Sequence, residues 1–152
     1  MKIIAIDISL SEKNKKKCGV CVYDEEEKKI TDVFPLFYVQ IQNILQGDFF
    51  CFEKKTFQKK EVTVVFEDSN LLKANWHGHT ARGGVGKNKA ACIIFKQWLD
   101  LHGIKNKQIP PNGYSQFFRN KNDCKTLTGI EEKNADVRSA IAMIYKNHVV
   151  RV

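Results

Sequence analysis

Apolar and polar positions follow two different rhythms along this chain, and the change of rhythm divides it. Up to Glu67, short apolar runs are separated by polar turns rich in lysine and glutamate. "KIIAIDIS" (2–9) reads as a first strand, "CGVCVYD" (18–24) as a second and "KITDVFPLF" (29–37) as a third. The turns between them, "SEKNKKK" and "EEEKK", are short and polar, which is the pattern of an antiparallel meander. "YVQIQNILQ" (38–46) fits either a short helix or more strand, and "FFCFEKKTFQKK" (49–60) alternates aromatics and lysines as a strand does. "EVTVVFE" (61–67) is the fourth clear strand. From "GVGKNKAACIIFKQWLDLHG" (84–103) the period turns helical. Ala91, Ile94, Phe95, Trp98 and Leu101 recur at three- and four-residue spacing, and Gly103 stops the helix. "KNKQIPPNG" holds a short strand at most before its prolines, and "GYSQFFRNKN" a short helix. "NADVRSAIAMIYKNHV" (134–149) is a last helix, with Val137, Ala140, Ile141 and Ile144 on one face. This order implies a mixed sheet flanked by helices in one α/β domain over residues 1–152.

Composition narrows the class. The 152 residues, 43% hydrophobic and 28% charged, can build one core of a soluble globular kind. No apolar stretch approaches the roughly 18 residues that span a bilayer. The opening "MKIIAIDISL" has too short an apolar run for a signal peptide, and an Asp interrupts it, so a cytoplasmic protein is expected. Lys plus Arg is 25 against 17 acidic residues, a net charge of +8. Such a balance favours a polyanion, nucleic acid before an anionic membrane surface. The competing explanation is a lysine-rich solvated surface. Five cysteines argue against a complete disulfide framework, and "CGVC" (18–21) leads into an apolar strand with no second CxxC. Strand cysteines are the better reading of it than a zinc or redox pair.

Carboxylates stand where apolar residues are expected. Asp7 interrupts "IIAIDIS", although a strand covered on both faces is near-continuously apolar. "VTVVFEDSN" (62–70) ends on Glu67 and Asp68, and Asp136 lies in "KNADVRS" at the start of the last helix. Each has an ordinary explanation: a turn cap for Asp7, an emerging surface for Glu67 and Asp68, the helix dipole for Asp136. Together they call for more. If the first and fourth strands pair, Asp7 and Glu67 sit at neighbouring strand ends, within reach of Asp136 on the last helix. Converging carboxylates repel and raise one another's pKa unless a cation joins them. Mg²⁺ suits that role, because it takes oxygen ligands and accepts phosphate oxygens as well.

On "IIAIDIS", "VVFEDSN", the long helix after it and "NADVRSAIAMI", the chain resembles the RuvC-type Holliday junction resolvases of the ribonuclease H superfamily, small phage-borne versions above all. The resemblance implies a ribonuclease H-like fold: a five-stranded mixed sheet whose first three strands are antiparallel. It implies a Mg²⁺-dependent endonuclease, with Mn²⁺ as a substitute, that cuts branched DNA as a homodimer in a bacterial or phage-infected cell, without a nucleotide cofactor. Asp7, Glu67 and Asp136 match the family's metal-binding acidic positions. A further acidic or metal-binding residue is usual one turn after Asp136, and Ser139 stands there. Asp68 or a water then substitutes, or a second metal binds weakly. Asn70 replaces the aromatic that stacks at the junction in some resolvases, and Trp76 is the candidate to take its part. The alternatives are a ribonuclease H-like enzyme that cuts RNA–DNA hybrids, a nucleic-acid-binding protein with an impaired site, and a basic protein whose partner is another protein.

Further cations suit a phosphate backbone. "ARGGVGKNKA" (81–90) is an incomplete P-loop, with Ala81 and Asn88 where Gly and Ser or Thr are needed, so ATP binding is not expected. Arg82, Lys87 and Lys89 at a helix N-terminus nevertheless suit a DNA phosphate. Arg119, Lys121 and Lys125 in "FFRNKNDCK" (117–125) are candidate phosphate contacts as well, whereas Phe117 and Phe118 read as core. "NWHGHT" (75–80) has two histidines but no third ligand, so a polar loop is preferred to zinc.

Overall fold

The computed structural model describes residues 1–9, 16–71 and 84–152, with the side chains of 84–88 excepted. Strands β1 (Lys2–Asp7), β2 (Cys18–Asp24) and β3 (Lys29–Leu36) form the expected antiparallel meander. Helix α1 (Tyr38–Ile44) and a separate hairpin, β4 (Phe49–Phe52) with β5 (Lys55–Gln58), occupy the stretch that the sequence left open. Strand β6 (Val62–Glu67) then pairs parallel to β1, from Lys2 opposite Val62 to Ile6 opposite Phe66. Helix α2 (Gly84–Leu101) leads to β7 (Lys105–Ile109), parallel to β6. Three helices follow: α3 (Tyr114–Phe117), α4 (Lys121–Thr128) and α5 (Ala135–Asn147). The main sheet has the order β3-β2-β1-β6-β7. It is the five-stranded mixed sheet expected from the sequence, its first three strands an antiparallel meander, in which the "fourth" strand is sixth along the chain. Among the described residues no helix is long and apolar enough to cross a membrane.

Strand alternation sorts the core into two layers. Ile4, Ile6, Val20, Val22, Val64 and Phe66 face one side, under α1, the hairpin and α2, where Phe95 and Leu99 are fully covered. The hairpin docks through Phe50 and Phe52, with Phe52 stacked on Phe34 at 5.7 Å between ring centroids. A Lys55–Asp32 ion pair of 2.8 Å ties the hairpin to β3. Ile3, Ala5, Cys21, Tyr23, Val65 and Ile109 face the other side, against Val137, Ala140, Ile141 and Ile144 of α5. Cys18 and Cys21, three apart on one strand, therefore lie in different layers and cannot share a metal or a disulfide. The expectation of strand cysteines holds.

The edges are β3 and β7. Pro35 in β3 is tolerated because an edge strand need not donate on its outer side. The alternating lysines of "KNKQI" point Lys105 and Lys107 to solvent, which discourages pairing with another sheet.

Candidate active site

Asp7 follows Ile3 and Ala5 on the α5 side of β1, and Glu67 follows Val65 on the same side of β6. Because β1 and β6 run parallel and in register, both carboxylates leave the sheet at the same end, the carboxyl edge. In α/β sheets this is where ligands bind. Asp7 lies opposite Gly19 on β2. The missing side chain at Gly19 admits the first turn of α5: a Cβ built there would lie 1.9 Å from the Asp136 carbonyl oxygen and 2.5 Å from the Val137 nitrogen. This backbone contact sets Asp136 over the strand beside Asp7.

The α5 N-terminus is held firmly. Asn134 caps it, its Oδ1 accepting from the Asp136 and Val137 amides at 2.9 and 3.0 Å. Arg138 donates from Nη1 to the carbonyls of Glu132 and Lys133, and from Nε to that of Phe118. Asn134→Ala removes the cap and is expected to cost about 1 kcal/mol, read as a lower urea midpoint.

Asp7, Ile8, Glu67, Ser69, Ala91, Cys92, Ser115 and Ser139 line a cavity of about 160 Å³. Burial, the Asp136 charge and the Glu67 charge push the Asp7 carboxyl up to about 7, and nearby Ser139 and Lys16 offset part of this. Burial also raises the Glu67 pKa. Cys92 is no thiolate, since burial pushes it up to about 11. The Ser139 and Ser69 hydroxyls are buried, and neither has a partner at full hydrogen-bond geometry. Ser139 is one turn beyond Asp136 and 1% exposed. The donor set is oxygen throughout, and its carboxylates destabilise one another's charge, so the residues suit a hard cation such as Mg²⁺. Among the described residues no three His, Cys, Asp or Glu side chains are drawn into one ready coordination shell.

Asp68 is turned back into an Asx turn, where its Oδ1 accepts from the Asn70 amide at 2.9 Å and from Asn70 Nδ2 at 2.8 Å. Asn70 Nδ2 also donates to the Lys89 carbonyl, which links the end of β6 to α2. Lys89 and Lys87 lie in the first turns of α2; Trp76 and Arg82 lie outside the described residues. Arg119 is exposed between α3 and α4, while Lys121 and Lys125 both reach Glu131, at 3.3 and 3.5 Å. Phe118 is core as expected, whereas Phe117 is 37% exposed.

Two residues of the site were not singled out in the sequence. Gly19 had a signal, since an isolated glycine in a strand marks a close backbone approach. Lys16, whose Nζ is 3.7 Å from Asp136 Oδ1, had none, being one lysine in a run of them.

No family model matches this chain, and no curated protein matches it. Among solved structures it is similar to Thermus thermophilus RuvC in complex with a Holliday junction substrate. The TM-score is 0.47 and the sequence identity 12%, covering 93% of this chain and 89% of that one. It is similar also to a second structure of Thermus thermophilus RuvC, with a TM-score of 0.44 and 13% identity, covering 93% and 90% of the two chains.

Proposed function

We propose that this protein is a divalent-metal-dependent endonuclease of branched DNA, with four-way junctions as substrate. One observation carries the reading: Asp7 and Glu67 line one cavity at the carboxyl edge of the parallel strands, and burial with the charges of Asp136 and Glu67 raises the Asp7 pKa to about 7. Carboxylates held so close to one another favour a cation between them. Asp7, Glu67 and Asp136 would hold it; Mg²⁺ fits, and Mn²⁺ should substitute. Such a cation, when bound, activates water and offsets charge on a phosphodiester in the transition state. The paired strands β1 and β6 keep Asp7 and Glu67 in register, and the capped α5 starts beside Asp7, where the Asp136 charge acts on it. Water enters through the cavity beside Ser69 and Ser139. Junction DNA as the substrate rests on the resemblance of "IIAIDIS", "VVFEDSN" and "NADVRSAIAMI" to junction resolvases, and two symmetric cuts call for a homodimer.

The test is cleavage of labelled four-way junction, linear duplex, flap and RNA–DNA hybrid, with Mg²⁺ and with EDTA. Paired nicks in the junction, lost in EDTA, support the proposal. Cutting of the hybrid alone makes the enzyme a ribonuclease H instead, and binding without cutting in Mg²⁺ or Mn²⁺ removes it from the nucleases. Backbone contact is tested separately. Lys87→Ala with Lys89→Ala should weaken junction binding broadly and flatten the slope of log K against log salt by roughly two. An unchanged slope means that these lysines stay in water.

A further inference from the structure

Asp7 and Glu67 line one small cavity, and Asp136, outside that lining, is near enough for its charge to act on Asp7; against these three carboxylates one divalent cation leaves a single charge over. Lys16 stands beside that remainder. Its Nζ is 3.7 Å from Asp136 Oδ1, and its field also reaches Asp7. In the two residues that follow, Lys17 Nζ lies over the Phe37 ring at 5.2 Å and Cys18 Sγ accepts from the Ser9 amide at 3.2 Å. Lys16 stands two residues before the start of β2. On the far side of Asp136, one turn along α5, stands the neutral hydroxyl of Ser139, which adds no charge for a further metal.

We propose that Lys16 is the second cation of this site, so that the protein binds one divalent ion per chain with high affinity and uses the lysine ammonium in place of another. Resting on the metal-site reading above, it makes the carboxylates balance without a fourth: a divalent ion and one ammonium match three carboxylates. When DNA binds, the same ammonium is placed to face the phosphate that approaches Asp136.

The test counts Mn²⁺ bound to the purified protein, by electron paramagnetic resonance of the free ion, for the wild type, Lys16→Met, Lys16→Arg and Asp7→Asn. Junction cleavage is measured beside it. The wild type should bind one Mn²⁺ per chain and Asp7→Asn should lose it. Lys16→Met should gain a second Mn²⁺, or bind the first about tenfold more tightly, because a competing positive charge is gone. Its kcat should fall with little change in KM, and Lys16→Arg should keep the wild-type stoichiometry. Two equivalent ions in the wild type would overturn the inference. So would a Lys16→Met protein with unchanged Mn²⁺ affinity and unchanged kcat, which would make the contact a surface ion pair. Wild-type protein that binds no Mn²⁺ sinks the metal-site reading as well, whereas loss of the ion in Asp7→Asn upholds that reading whatever Lys16 does.

Discussion

Asp7→Asn is expected to reduce junction cleavage on the order of a thousandfold or more, with junction binding intact or tighter. The substitution keeps the shape of the side chain but removes a ligand to the proposed cation, worth several kcal/mol in the transition state at about 1.4 kcal/mol for each tenfold in rate. It also removes a negative charge from the surface that receives phosphate, which is why binding should not suffer. Wild-type cleavage by the variant in Mg²⁺ would show that the site has been assigned wrongly. The same variant carries a pH signature in metal-free buffer. The Asp7 pKa is about 7 in the folded protein against an ordinary 3.8, so between these values the folded state holds a proton that the unfolded chain has released. Stability must therefore fall as pH rises through this window, and the loss is complete above the folded pKa, with an upper bound of about 4 kcal/mol. Asparagine does not titrate. The advantage of Asp7→Asn over wild type in EDTA should be small at pH 5, grow towards pH 8 and shrink when Mg²⁺ is added. Urea unfolding at the two pH values measures it, and an equal gap at both would mean that Asp7 ionises normally.

Gly19→Ala should destabilise the fold by on the order of 3 to 5 kcal/mol through a single methyl group. The atoms it meets are backbone: the Asp136 carbonyl, 1.9 Å from the new Cβ, and the Val137 amide. Neither can rotate aside as a flexible side chain would. Relief requires α5 to retreat from β2, which opens the layer around Ala140 and Ile141 and carries Asp136 away from Asp7. A protein that still folds should bind Mn²⁺ more weakly than wild type, even where its secondary structure is preserved. A urea midpoint within error of wild type would show that the helix does not pack so closely.

The meander, the parallel return of β6 and the two long helices were legible because their hydrophobic periods are unambiguous. Asp7 and Glu67 were legible for the opposite reason: each breaks an apolar strand at its end. Between residues 38 and 60 the pattern failed. The α1 segment is too short to display a helical period, and the β4–β5 hairpin turns through Glu53 at φ 51° without the glycine or asparagine that announces such a turn. The last strand, "KNKQI", has lysines where a central strand has valine, because it lies at the edge of the sheet. Helix α4 was missed beyond Asn120, which caps it through the amides of Asn122 and Asp123. Asp68 read as part of the acidic cluster from its neighbour, yet its carboxylate turns back to Asn70. Lys16 lay hidden because charge composition counts lysines without saying which one meets an aspartate.

Pairing β1 directly with β6 joins Lys2 to Val62, sixty positions further along the chain, and α5 must still arrive to complete the layer. Contacts so distant in sequence are slow to form, since the loop must close before they repay its entropy. An incomplete chain emerging from a ribosome therefore has strands but no gathered carboxylates. On the proposed function, cutting power would arrive late, only once α5 has been made and docked on the sheet. A nascent fragment that ends before Asp136 should be harmless to the nucleic acid around it, whatever else it can bind.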